Sequence, residues 1–402
     1  MFFEILLFSL IGIFFGIITG ITPGVHINLV SVILLSASPL LLSHFSVFSV
    51  VALIIAMSIT HTFLDFIPST FLGAPEEATA LGVLPAHKLL LRGMGYEAVR
   101  LSAIGSLLAL IFVVAVSFFT YKIIPSVFEM LKPYIGWILL SVVLYMIMKS
   151  KEKNKIFWSS FLFILSGIFG IVVFSLHTKD PLFPMFSGMF GISMLIMSIF
   201  EKVILPKQRV TEMIKVKTKN IFKSVSAGSF SGALVTLFPG VGPAQAAIIA
   251  AQIVGKIGIY SYIILIGGIG TASMVMSLVT LFTIEKARNG SIIVVQKLLE
   301  TISYNDFVLF AAIALIAGGI ATFLCLYIAK VFADVINRVN YQLLCISIIL
   351  LIGILAIAMT GWIGLIILVV STFLGFLPPL LHTGRNNLMG CLLVPVILYF
   401  IL

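Results

Sequence analysis

The chain has 402 residues, of which 61% are hydrophobic and only 9% charged. Average globular chains are nearer half apolar and a quarter charged, so this one lacks the polar surface to coat a water-soluble body. A net charge of +10 would suit nucleic acid in a soluble protein; here it follows the tendency of basic residues to collect in cytoplasmic loops, which leaves no nucleic-acid partner and makes membrane lipid the surroundings.

The first apolar stretch, "GIFFGIITGITPGVHINL", is long enough to cross a bilayer but is interrupted by Pro23 and Gly24. It has Glu4 and no basic n-region, so it does not read as a cleavable signal. Proline removes a backbone donor and glycine tolerates unusual dihedrals, so the helix ends there and another starts just beyond. The new start exposes N–H groups and a partial positive charge, which suit an anion. Such groups are tolerable in a membrane only where protein or a water-filled cavity surrounds them. The break is therefore expected to face the interior, with Pro23, Gly24, Val25, His26 and Asn28 around a small anionic substrate. Two plainer readings stand beside this one: a simple proline kink, and an Asn28 that, like Gln245 in the second half, bonds a neighbouring helix.

Next comes "SITHTFLDFIPSTFLGAPEEATALG". Thr60, His61 and Asp65 interrupt a segment otherwise fit to span, and intramembrane ionisable residues usually face a pathway. Glu76 and Glu77 follow beside Pro75 in a short re-entrant element. These groups are candidates for binding a coupling Na+ or H+. For the two glutamates, a solvated loop with an acidic cap is the competing reading. His61 and Asp65, one helical turn apart, form the one candidate acid–base or metal pair and lack a third partner.

Basic loops at 149–155 and 201–224 flank two apolar segments, so both loops fall on one side, assigned as cytoplasmic. Between them "PLFPMFSGMFGISML" alternates small and large residues, a pattern of close helix packing. Directly after the second loop the opening pattern returns. Gly12-x3-Gly16-x6-Pro23-Gly24-Val25 becomes Gly228-x3-Gly232-x6-Pro239-Gly240-Val241, offset by 216 residues. Gly242 and Gln245 occupy the positions of His26 and the residue after Asn28, and join Pro239, Gly240 and Val241 as substrate-binding candidates. The counterpart of the acidic segment, "GGIGTASMVMSLVTLF", offers Thr271 and Ser273 and no acid. Broken segments at corresponding places in two halves are the signature of a repeat-built secondary transporter.

Counting back from the cytoplasmic loops gives the first half an odd number of crossings. The second half is then inverted, which places Lys330, Arg338 and Arg385 inside. The expected architecture is an all-α polytopic membrane protein with two inverted-topology repeats and broken or re-entrant helices at matching positions. It divides into an N-terminal repeat at 1–200, a basic linker at 201–224 and a C-terminal repeat at 225–402. Cys325, Cys345 and Cys391 sit singly in apolar segments and read as small hydrophobes; no cofactor is implied.

"GIITGITPGVHINL", "FLGAPEEATALGVLPAHKLLLRGMGYEAVRLSAIGS" and "GALVTLFPGVGPAQAA" resemble the TctA family, the large membrane subunit of tripartite tricarboxylate transporters, and most of all its shorter, stand-alone archaeal-type members. The resemblance implies an ion-coupled carrier of small organic acids, with Pro23, Gly24, Pro239, Gly240 and Gly242 shaping the substrate site. It also implies a possible small membrane subunit and an extracytoplasmic binding protein as partners. The oligomeric state is not legible.

The expected function is secondary transport of a di- or tricarboxylate-like metabolite across the plasma membrane, coupled to sodium or protons. The alternative is a flippase for a polyprenyl or other lipid phosphate, which presents a comparable anionic head. The sequence has no Gly-x-Ser-x-Gly, no His-Glu-x-x-His and no intramembrane Asp pair, so an enzyme is not expected.

Overall fold

The computed structural model describes residues 2–402 other than 24, 26, 77, 149–151, 177, 179, 180, 202–204, 238–241, 256 and 339. Among the described residues all regular structure is helical, and nine helices are long and apolar enough to span a bilayer. In the first half the helices are α1 (Phe2–Ile21), α2 (Ile27–Ser36), α3 (Val47–Phe71), α4 (Val83–Leu90), α5 (Gly95–Thr120), α6 (Ile124–Met148), α7 (Lys153–Ser175) and α8 (Leu182–Phe200). The second half continues with α9 (Thr218–Leu237), α10 (Pro243–Val254), α11 (Ile259–Ile284), α12 (Gly290–Leu299), α13 (Tyr304–Ile336), α14 (Tyr341–Leu380) and α15 (Gly390–Ile401).

The helix boundaries follow the repeat in the sequence. α1 and α9 start and stop at an offset of 216 residues, and so do the starts of α2 and α10. Both helices end just before their Pro-Gly pair, and a shorter helix resumes after it. A long helix, a short one and another long one then follow in each half.

The glycines of the repeated motif explain why α1 and α9 lie where they do. A methyl group on Gly12 would collide with the Leu53 carbonyl, and one on Gly16 with the Met57 carbonyl and Thr60, both in α3. In the second half the same groups on Gly228 and Gly232 would meet the carbonyls of Leu265 and Ile269 in α11. Small residues at four-residue spacing let backbones approach closely where lipid supplies no hydrophobic drive between helices. Each broken helix is thereby laid along the next long helix, α1 along α3 and α9 along α11.

α3 and α11 form the centre. Of their most apolar stretches 83% and 94% is buried, against 22% for α14, which lies at the periphery. The halves interlock because α5 of the first packs on α11 of the second, while α13 of the second packs on α3 and α5. At the α5–α11 crossing Gly105 lies on the Ile264 carbonyl, Gly267 lies on Ser102, and Ser106 Oγ donates to the Gly267 carbonyl at 3.0 Å. α14 turns at Gly361, whose φ of 73° lies in the left-handed region that favours glycine. The small-and-large stretch in α8 packs closely, as expected. A widened π-type turn at Ser187–Ile192 sets Gly188 against α14 and Gly191 against the Gly73 carbonyl.

Residues 205–217 of the expected linker run without helix across one end of the bundle. The Gln208 side chain accepts from the Gly95 amide at 2.9 Å and donates to the Leu90 carbonyl at 2.9 Å. Its own amide donates to Asn337 Oδ1, at the end of α13, at 2.6 Å. The buried Glu97 carboxylate accepts from the Met213 amide at 2.8 Å and from Thr211 Oγ1 at 3.0 Å, and pairs with Arg100 at 3.2 Å.

Near this end His87 of α4 bonds Tyr341 Oη through Nε2 at 3.1 Å, while Nδ1 is buried without a hydrogen-bond partner among the described residues. Burial, with Arg385 adding to it, pushes the His87 pKa down from 6.5 to about 4. Above about pH 6.5 the ring is neutral folded or unfolded, so pH has no effect through it. Between 6.5 and 4 only the unfolded chain takes up the proton, so stability falls as pH falls, by up to about 3 kcal/mol. Thermal unfolding in detergent is expected to show this loss, and His87→Leu to flatten it.

Candidate functional site

The acidic segment is shaped by its own breaks. Pro68 cannot donate to the Leu64 carbonyl, so the helix steps at Asp65 before resuming over Phe66–Phe71. Beyond it Gly73 adopts a φ of 62°, and the chain turns back on itself. Thr79 pins this loop: its hydroxyl bonds Ser69 Oγ at 2.6 Å and accepts from the Glu76 amide at 3.1 Å. The loop therefore turns the Glu76 side chain inward, where it is only 15% exposed. A solvated acidic cap does not describe it.

His61 is held at both nitrogens. Nε2 donates to Glu76 Oε2 at 3.0 Å, and Nδ1 lies 3.1 Å from Thr19 Oγ1, near the end of α1. The ring thus ties the first broken helix to the Glu76 loop. Asp65, one turn on, completes a compact group. One ligand atom each from His61, Asp65 and Glu76 lie within 4.8 Å of one another. The third partner that the His61–Asp65 spacing lacks comes from the loop. One imidazole and two carboxylates at this separation can hold a single small cation or share a proton.

This group opens on a cavity of about 420 Å³. Asn28 lines it from the start of α2, and Val235, Gly242 and Pro243 line it from either side of the second break. Ser273 and Ser277 of α11, with Ser58 and Thr62 of α3, add hydroxyls. The flanks of both interruptions and the ionisable group therefore share one chamber, with apolar closure by Leu182, Phe183 and Phe186 of α8.

The remaining expected residues divide in four. Gln245 is buried and accepts from the Gly242 amide at 2.8 Å, so its side chain caps the start of its own helix. Thr60 packs on Gly16, and Thr271 bonds Thr62 at 3.0 Å behind the cavity wall. Pro23 is buried and Val25 half-buried beside the first break, neither among the residues that line the chamber. Gly24, His26, Glu77, Pro239, Gly240 and Val241 lie outside the described residues.

Sequence reasoning missed Thr19, a hydroxyl that reads as an ordinary helix residue until α1 meets α3. It also passed over Arg288, which lines the cavity from the loop after α11. The available signal was a cation in "EKARNGS", at the place where the first half carries "APEEATA".

Residues 6–390 match the family described as "Tripartite tricarboxylate transporter TctA family". An uncharacterized protein of Methanocaldococcus jannaschii is 31% identical over 411 aligned positions, covering 98% of this chain and 99% of that protein. No solved structure matches. With the family matched over nearly the whole length, and with nine helices among the described residues fit to span a bilayer, this integral membrane chain belongs to the tripartite tricarboxylate transporter TctA family.

Proposed function

We propose that the chain is a secondary carrier of a small di- or tricarboxylate in the plasma membrane, driven by sodium or protons. The observation that carries this reading is the single chamber onto which the flanks of both breaks and the His61–Asp65–Glu76 group open. The helix starts at Asn28 and Gly242 supply amides and partial positive charge for carboxylates. The ionisable group takes the coupling cation or proton. Two interrupted helices at matched offsets support halves of inverted topology that rock against each other around a fixed site. Family membership supports partner subunits, a small membrane protein and an extracytoplasmic binding protein, which would feed this chamber.

The test is uptake by proteoliposomes containing the purified chain, with labelled citrate and succinate under an imposed Na+ or proton gradient. Accumulation above the equilibrium level, abolished when the gradient is collapsed, is the expected result. If neither acid enters and the same vesicles scramble a labelled polyprenyl phosphate, the carrier reading is wrong and the flippase reading takes its place.

A further inference from the structure

Both halves bring the corresponding loop to the cavity, and the two loops carry opposite charge. In the first half α3 leads into the loop that delivers Glu76, followed by α4; in the second, α11 leads into residues 285–289, which deliver Arg288, followed by α12. We propose that Arg288 holds a carboxylate of the transported acid, making this loop the anion-recognising counterpart of the cation-holding loop around Glu76. The assignment rests on the carrier reading and adds to it a residue and a polarity.

Several observations converge on Arg288. It is the only lysine or arginine lining the cavity among the described residues. It is half-buried, yet no hydrogen bond or ion pair is made by its guanidinium among those residues. Some other cations of the chain are engaged, Arg100 with Glu97 and Glu212, Arg385 with Ser193 at 3.2 Å, and Lys286 of the same loop 4.7 Å from the Phe128 ring centre, and none of these lines the cavity.

The loop is also built to hold its position. Asn289 Oδ1 accepts from the amide and hydroxyl of Ser291 at 3.1 and 3.0 Å, capping α12. Gln296 reaches back to the Glu285 carbonyl at 2.9 Å. Gly290, at the start of α12, packs directly on the Asn28 side chain, where a methyl group would come within 2.6 Å of Cγ. The loop thus rests on the start of α2, beside the first break. A guanidinium offers a planar fork that matches a carboxylate with two parallel hydrogen bonds. Half-desolvating such a fork with no hydrogen bond to it from the described residues, and only Tyr399 as an electrostatic neighbour, is costly unless a ligand or water completes it.

The experiment compares wild type, Arg288→Lys and Arg288→Gln in proteoliposomes, each checked for monodisperse elution in detergent, using citrate, succinate and the succinate monoamide. Loss of a charge-assisted pair is expected to raise the KM for succinate about 10- to 100-fold in Arg288→Gln, with little change in the saturating rate. Arg288→Lys is expected to fall between, since it keeps the charge and loses the fork. Wild type is expected to prefer succinate over its monoamide, and Arg288→Gln to lose most of that preference. Wild-type KM and undiminished preference in Arg288→Gln overturn the assignment and leave the carrier reading standing. Absence of uptake of any of the three by wild type overturns the carrier reading itself.

Discussion

Asp65→Asn is expected to lower gradient-driven accumulation by about 100-fold or more while leaving the protein folded. The substitution is nearly isosteric, so packing against His61 and the steps around Pro68 are retained. What changes is one negative charge in a group whose ligand atoms lie within 4.8 Å of each other. Asp65 is 5% exposed and His61 3% exposed, so little water can replace the missing carboxylate. Truncating one partner of a buried charged group costs a binding equilibrium on the order of 2–5 kcal/mol, and about 3 kcal/mol of that corresponds to about 100-fold in cation affinity. The measurement is the initial uptake rate as a function of Na+ concentration and, separately, of an imposed pH difference. If sodium drives transport, the half-saturating concentration rises steeply; if protons do, pH-driven uptake disappears while substrate exchange at equilibrium persists. Unchanged dependence on both would remove the His61–Asp65–Glu76 group from any coupling role.

Gly105→Val is expected to prevent folding, or to cost about 3 kcal/mol or more of stability. The position lies where α5 of one half crosses α11 of the other, with the backbone of Ile264 and Gly268 directly against it. A valine side chain cannot be accommodated by a rotamer change, because the obstacle is main chain. Overpacking commonly costs 1–3 kcal/mol where side chains can shift, and more where they cannot. Separating the helices would also break the Ser106–Gly267 hydrogen bond of 3.0 Å. Gly319 on α13 is the matched control, since nothing lies within 4 Å of an added methyl there. Gly319→Ala should be neutral or stabilising, by up to about 1 kcal/mol of helix propensity. Thermal unfolding in detergent, followed by loss of the monodisperse peak, distinguishes the pair. Equal behaviour of the two variants would contradict the close crossing.

What could be read from the chain and what could not divide by the range of the interaction. The breaks at Pro23 and Pro239 were legible because proline and glycine act on the backbone locally, and the 216-residue offset of α1 and α9 restates a repeat visible in the letters. Gly12, Gly16, Gly228 and Gly232 were legible as a pattern, but their work, the approach of α1 to α3 and of α9 to α11, needed the partner helix. His61 and Asp65 stood out because charge inside an apolar run is expensive. Glu76 was ambiguous: the turn that sends it inward depends on Thr79 meeting Ser69 ten residues away. Thr19 was invisible for the same reason, since it gains meaning from a neighbour distant in sequence, while Arg288 left only the signal of a cation in the loop after α11. Gln245 shows the converse. A polar side chain beside a break suggests a ligand, and its nearest partner in the structure is the amide three residues earlier.

The segment around Gln208 has a mechanical corollary. Leu90 and Gly95 grip it from the first half and Asn337 grips it from the second, so one glutamine closes a clasp across the seam between them. With Glu97 fastening the following residues, the two halves cannot slide apart at that end without unlatching buried polar groups. Any rocking of one half on the other therefore pivots near the clasp, and its amplitude grows toward the far end of the molecule.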